Sequence, residues 1–148
     1  MTNSATECIF CKIACGDAPA YRVAEDELAF AILDINPFAK GHCLVLPKRH
    51  VAWWHDMTEA ETTSVFNLAR IVANRMMKVF KPDFVMTYAR GKRIPHTHIF
   101  LIPTSNGDVI DRYFNALEKI QEAPPQLVHL WEQAEMEDAA KMLTEVEE

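Results

Sequence analysis

The segment Ile94-Pro95-His96-Thr97-His98-Ile99-Phe100-Leu101-Ile102-Pro103 sets two imidazoles one residue apart in an otherwise apolar run. On a strand, alternate side chains share a face, so His96, His98, Phe100 and Ile102 would lie together, with Thr97, Ile99 and Leu101 opposite. A lone strand histidine is ordinarily a packing residue. A pair in a chain that also carries Cys8-x-x-Cys11 and His50 points to chemistry instead. Imidazole titrates near neutrality, attacks electrophiles as the free base and ligates metals. Two thiolates with two imidazoles make a tetrahedral zinc set. His42, His50, His55 and His98 compete with His96 for such a metal, and spacing alone does not choose among them.

The four cysteines stand at Cys8, Cys11, Cys15 and Cys43. Nothing in the chain marks secretion, so Cys8 and Cys11 read better as half a metal site or a redox pair than as disulfide partners. A thioredoxin-type pair would sit between a strand and a helix, whereas Cys8 falls in an N-terminus that looks disordered. Metal is therefore the better expectation.

The elements that must position these residues follow from the rest of the chain. Its 148 residues suit one core, and 49% hydrophobic with 24% charged residues is an ordinary globular composition. Lys plus Arg number 15 against 21 Asp plus Glu, giving a net charge of −6 and no basic stripe for duplex nucleic acid. The longest apolar run, 28–33, is too short to cross a bilayer. The opening MTNSATE lacks the basic and apolar regions of a signal peptide, so the expectation is a cytoplasmic protein without a membrane partner.

Residues 21–24, 28–35 and 42–46 read as closely spaced strands, with Asp34-Ile35-Asn36-Pro37 as a turn and Pro47 as a stop. Thr58-Glu59-Ala60-Glu61 is a capping box opening a helix over 58–80, and Val65, Leu68, Val72, Met76 and Val79 form its apolar stripe. Pro82 ends it. Residues 83–88 and 94–102 read as two more strands, followed by helices over 109–121 and 126–146 on either side of Pro124-Pro125. The pattern is α+β. Trp53-Trp54-His55 is read as closing the core over a loop in preference to covering a dimer interface or a pocket rim, and the acidic stretch from Glu132 onward as a solvated helical face.

Four pieces occur in a telling order: Cys8-Ile9-Phe10-Cys11-Lys12-Ile13; Ala29-Phe30 with Asp34-Ile35-Asn36-Pro37; Gly41-His42-Cys43-Leu44-Val45-Leu46-Pro47-Lys48-Arg49-His50; and the His96/His98 segment. Together they resemble the histidine triad (HIT) superfamily, in a match running from Cys8 to about Asp108. The resemblance implies a five-stranded antiparallel sheet with one long helix over 1–108; the last forty residues lie outside it, and 109–148 is read as a helical C-terminal extension packed on the same domain. The resemblance also implies a homodimer, a nucleotide or nucleotide-conjugate substrate, and cleavage at the α-phosphate.

By this likeness His98 is the nucleophile that carries a transient nucleotidyl group, Asp34 grips the ribose hydroxyls, and Phe10, Ile13 and Ile35 wall the base. Simple core packing would suit the same three apolar types. The zinc-bearing members use residues that map to Cys8, Cys11, His50 and His96, implying one structural Zn2+ per chain. Cys15 and Cys43 would then be free thiols.

The chain also departs from the family pattern. Phe100 stands where the third histidine of His-x-His-x-His would donate to the phosphate or leaving group, and a phenyl ring donates no hydrogen bond. The usual Asn-and-Gly loop with Gly-Gln-x-Val-Pro is here a shortened Met86-Thr87-Tyr88-Ala89-Arg90-Gly91-Lys92-Arg93-Ile94-Pro95, with Lys92 in place of the glutamine. Arg90, Lys92 and Arg93 either supply charge to a phosphate or form a solvated basic turn. Two classes of function stay open: a hydrolase or nucleotidyl transferase acting through His98, and a binding or interaction module that keeps the fold and zinc without catalysis.

Overall fold

The computed structural model describes residues 7–122 and 125–146. The chain divides into two compact units, Met1–Asn106 and Gly107–Glu148. The first unit contains helix α1 (Ile9–Cys15), strands β1 (Arg22–Glu25), β2 (Ala29–Leu33) and β3 (Cys43–Pro47), helix α2 (Glu59–Phe80), and strands β4 (Phe84–Tyr88) and β5 (Ile99–Thr104). All pairings are antiparallel, in the order β1-β2-β3-β5-β4. This is the α+β, five-stranded architecture that the resemblance implied.

The sheet is covered on both faces, which explains why β2 and β3 read as unbroken apolar runs rather than alternating ones. On one face Ala29, Ala31, Val45, Ile99 and Leu101 pack with Val65, Leu68, Ala69, Val72 and Met76 of α2. On the other, Phe30, Ile32, Leu44 and Leu46 pack with Phe10 and Ile13 of α1. Helix α2 starts as its sequence specifies: Glu61 N–H donates to Thr58 Oγ1 at 3.2 Å and Thr58 N–H donates to Glu61 Oε2 at 2.9 Å. It ends at Lys81, whose φ of 50° is left-handed, just before Pro82. Val79 is a correction to the predicted stripe. Met77, Val79 and Phe80 are all exposed, so the last turn runs past the core and the buried stripe closes at Met76. The loop ahead of β3 turns at Gly41, with φ of 89°, where a Cβ would collide with the Phe80 ring.

Helix α1 was not expected. Cys8 is its N-cap residue, so the Cys-x-x-Cys pair opens a helix rather than lying in an irregular N-terminus. Residues 1–6 lie outside the described residues.

In the second unit, α3 (Val109–Glu118) is capped by Asp108, whose carboxylate accepts from the Asp111 amide at 2.9 Å, and a 3-10 turn over Lys119–Glu122 follows. The single helix expected over 126–146 is instead two, α4 (Pro125–Val128) and α5 (Gln133–Glu145), with a 3-10 turn at His129–Trp131 between them. Extended backbone at Glu132, φ −63° and ψ 138°, breaks the ladder. Pro124 and the last two residues lie outside the described residues.

Candidate active site and metal centre

Three separate stretches bring four ligand atoms together. Cys8 and Cys11 lie one turn apart at the start of α1, His50 follows β3 by three residues, and His96 precedes β5. Their ligand atoms all fall within 4.8 Å of one another. His96 Nδ1 is 3.5 Å from both sulfurs, and His50 Nδ1 is 3.2 Å from Cys11 Sγ. The tautomer of His96 is set by its other nitrogen: Nε2–H donates to the Pro47 carbonyl at 2.9 Å, which leaves the Nδ1 lone pair facing the sulfurs.

Burial pushes the Cys11 thiol up to about 11, with Cys8 adding to the effect. Burial also pulls His96 down to about 4, against the Pro47 hydrogen bond and with help from His50 and His98. His96 therefore keeps its lone pair, and a cation would have to draw the proton from Cys11. Two sulfurs and two correctly turned imidazoles within tetrahedral reach fit zinc. Of the histidines that spacing left in competition, His42, His55 and His98 are placed elsewhere.

The segment holding His96 and His98 is not part of the regular strand, which begins at Ile99. Pro95 is the central residue of a tight turn in which the His96 amide donates to the Ile94 carbonyl at 2.8 Å. Thr97 N–H donates to the Val51 carbonyl at 2.6 Å instead of to a ladder. The expected alternation survives nonetheless. His96 and His98 face the Phe10 ring, with centroids 5.8 and 5.2 Å away, while Ile99 and Leu101 join the core beneath α2.

His98 Nδ1 lies 2.7 Å from the His96 carbonyl. A carbonyl only accepts, so Nδ1 carries the hydrogen and Nε2 carries the free lone pair. His98 is also one wall of an open recess of about 170 Å³ that it shares with Trp53, Trp54, His55, Arg90 and Thr97. The tryptophans are thus not spent on closing the core: they stand 46% and 50% exposed at the rim.

Phe100 is half-buried and stacks on Tyr88, its partner in the β4–β5 register, at 4.4 Å and 4°. On its other contacts it meets His42 at 5.4 Å and His98 at 5.2 Å. His42 is buried, stacks on Phe38, and accepts the Phe38 amide at Nδ1 (3.2 Å), which leaves Nε2–H directed toward Asp34 Oδ2 at 3.8 Å. Burial lowers its pKa, against the pull of Asp34, so it is neutral. Asp34 spends Oδ1 on the Asn36 amide at 2.7 Å.

Among the residues expected to bind substrate, Phe10 and Ile13 are buried in the core between α1 and the sheet, whereas Ile35 is 88% exposed. Lys92 is exposed, and it is Arg90 and Gly91 from the same loop that line the recess beside His98. Sequence reasoning passed over Thr97. Its hydroxyl is buried with no hydrogen-bond partner among the described residues, and no sequence pattern signals that.

A model of the HIT domain matches residues 16–107, more than half the chain. The chain belongs to the HIT family. It is similar to adenosine 5′-monophosphoramidase hnt1 of Schizosaccharomyces pombe, 36% identical over 104 residues that cover 67% of this chain and 75% of that protein. Adenylylsulfatase HINT3 of Arabidopsis thaliana is 30% identical over 109 residues, covering 70% of this chain and 55% of that one. Among solved HIT structures, a Zn-bound histidine triad family protein from Mycobacterium smegmatis superposes with a TM-score of 0.66 at 31% identity, covering 72% of this chain and 81% of that chain.

Proposed function

We propose that this HIT protein is a hydrolase or nucleotidyl transferase that acts at the α-phosphate of a nucleotide conjugate through His98. The observation that carries the reading is the His98 tautomer. With Nδ1–H held by the His96 carbonyl, Nε2 keeps its lone pair, and His98, though buried, lines the recess. Nε2 attacks phosphorus, an N–P bond forms, and the bond to the leaving group breaks with its electron pair on the departing atom. Water or another acceptor then attacks the phosphorus, the N–P bond breaks, and His98 is regenerated. Asp34, with Oδ2 turned toward the buried His42 and Oδ1 on the Asn36 amide, is fixed to accept from ribose hydroxyls. The named activities of the phosphoramidase and adenylylsulfatase relatives support the same reaction class.

Zinc is part of this proposal. Cys8, Cys11, His50 and His96 would hold it, and four protein ligands complete a tetrahedral ion, so its part is to cross-link chain segments. The tie would run from α1 through His96 to the carbonyl that orients His98. A homodimer belongs to the proposal as well: β4 is an edge strand, and Phe66 and Phe80 on α2 leave apolar surface exposed.

The second reading, a nucleotide-binding module without turnover, is favoured by Phe100, which offers the phosphate no donor where its imidazole counterpart would. Adenosine and guanosine phosphoramidates, dinucleoside polyphosphates and nucleotide sugars, assayed with wild type and His98→Ala, separate the two. Nucleotide release and a nucleotidyl mass adduct on His98, both lost in the variant, are expected. Nucleotide binding with no release from any compound would establish the binding module.

A further inference from the structure

The recess beside His98 has a composition that the nucleotidyl-transfer reading does not use. We propose that it is the subsite for the departing group, and that it takes a planar aromatic ring carrying a carboxylate. The inference rests on the reading of His98 as nucleophile.

Four observations converge on that ligand. First, two adjacent indoles are held about half in water, Trp53 nearly parallel to His55 (8°, 6.4 Å between centroids) and Trp54 edge-on to it (86°, 5.9 Å). Such a braced aromatic rim offers stacking faces at little cost in side-chain freedom. Second, the space suits one ring system. A cavity of ~150 Å³ accepts benzene, and the recess measures about 170 Å³. Third, Thr97 is among the residues lining the recess, and its buried hydroxyl has no hydrogen-bond partner among the described residues. Fourth, Arg90 lines the recess and, among the described residues, no carboxylate does, in a chain whose net charge is −6. A guanidinium so placed recognises a carboxylate through paired hydrogen bonds.

His98 supplies the connection to chemistry. When Nε2 attacks phosphorus, the P–N or P–O bond to the leaving group breaks and its electrons stay on the departing atom. That atom takes a proton from solvent water, which the open mouth of the recess admits and which Phe100 does not supply. Aromatic amines or alcohols bearing a carboxylate are therefore the leaving groups this site selects.

The test uses the full-length protein and three adenosine 5′-phosphoramidates, those of phenylalanine, alanine and phenethylamine. The first two share the carboxylate and differ in the ring; the first and third share the ring and differ in the carboxylate. Wild type is expected to favour the phenylalanine conjugate over the alanine conjugate about tenfold in kcat/KM. That ratio should fall below about threefold in Trp53→Ala and in Trp54→Ala, and the advantage over phenethylamine should disappear in Arg90→Gln. If a tryptophan variant does not fold, the wild-type ratios and Arg90→Gln, at an exposed position, decide alone.

Equal kcat/KM for all three conjugates would overturn the subsite while leaving the nucleotidyl-transfer reading intact. No turnover of any conjugate would defeat that reading first. The recess is then judged by affinity: tenfold tighter binding of the phenylalanine conjugate with quenched tryptophan fluorescence supports it, and equal affinities overturn it.

Discussion

Glu61 joins two structural duties whose energies separate by pH. Its carboxylate receives Arg49 Nε at 2.6 Å and Arg49 Nη2 at 2.7 Å while also accepting the Thr58 amide at the start of α2. Arg49 immediately precedes the metal-set residue His50, so the pair pins that stretch to the helix. The hydrogen bonds from Arg49, chiefly, hold the Glu61 carboxyl down at about 2, against an ordinary 4.5. That gap corresponds to a ceiling of about 3 kcal/mol in favour of the folded state. Arg49 is half exposed, with 51% of its side chain accessible, and solvent screening reduces the contribution to about 1–2 kcal/mol. Because the folded carboxyl is depressed, this stability is present above pH 4.5 and is lost as pH falls toward about 2. Glu61→Gln keeps an acceptor for Thr58 and removes the charge. Urea unfolding of wild type and variant, both stripped of metal by chelator, should differ by about 1–2 kcal/mol at pH 7. The difference should shrink steadily below pH 4.5. No difference at pH 7, or one that stays constant down to pH 3, would refute the assignment.

Cys8→Ser should abolish stoichiometric zinc binding and lower the melting temperature, and a chelator should lower the melting temperature of wild type while leaving the variant unmoved. Zinc retained in the variant at one equivalent would remove Cys8 from the set. Gly41→Ala forces a Cβ into the Phe80 ring at a left-handed backbone position, so calorimetry should show a loss of about 2 kcal/mol or more. Phe80→Ala in the same chain should recover part of it, and a Gly41→Ala protein that melts like wild type would show that the loop shifts freely. Phe100→His restores a donor next to His98; for a poorly leaving amine, kcat should rise about tenfold or more. An unchanged rate would place the proton source elsewhere.

Much of the scaffold was legible because it obeys period and capping. Residues 58–80 carry both the stripe and the Thr58/Glu61 box; the box forms, and the stripe is buried as far as Met76 but not at Val79. The four metal-set residues were reached by likeness to a family, since spacing alone left His42, His55 and His98 in play. Helix α1 escaped notice because Cys8 caps it without a side-chain hydrogen bond and its seven residues are too few to show a period. The start of β5 was placed too early because apolar alternation persists through His96 and His98, although the backbone there is tied by isolated bonds. The break at Glu132 has no proline or glycine to announce it. Exposure of Trp53 and Trp54, and the stranded hydroxyl of Thr97, arise from how a loop meets a recess, which residue types alone do not encode.

Strands β3 and β5 pair only from Val45 opposite Ile99 onward, so the sheet splits before Pro47 reaches a partner on that side. Proline's missing amide costs nothing at such a split, and its idle carbonyl is what holds His96. The split gives the protein two different tolerances to mutation. Paired positions along β2 and β3 can exchange one branched apolar residue for another and keep their ladder. The stretch from Ile94 to His98 hangs on single ties, to Pro47, to Val51 and from His96 to His98, each of which one substitution can cut. Divergence within the sheet should therefore be broad and quiet, whereas change in this short stretch should be abrupt, altering chemistry before it alters the fold.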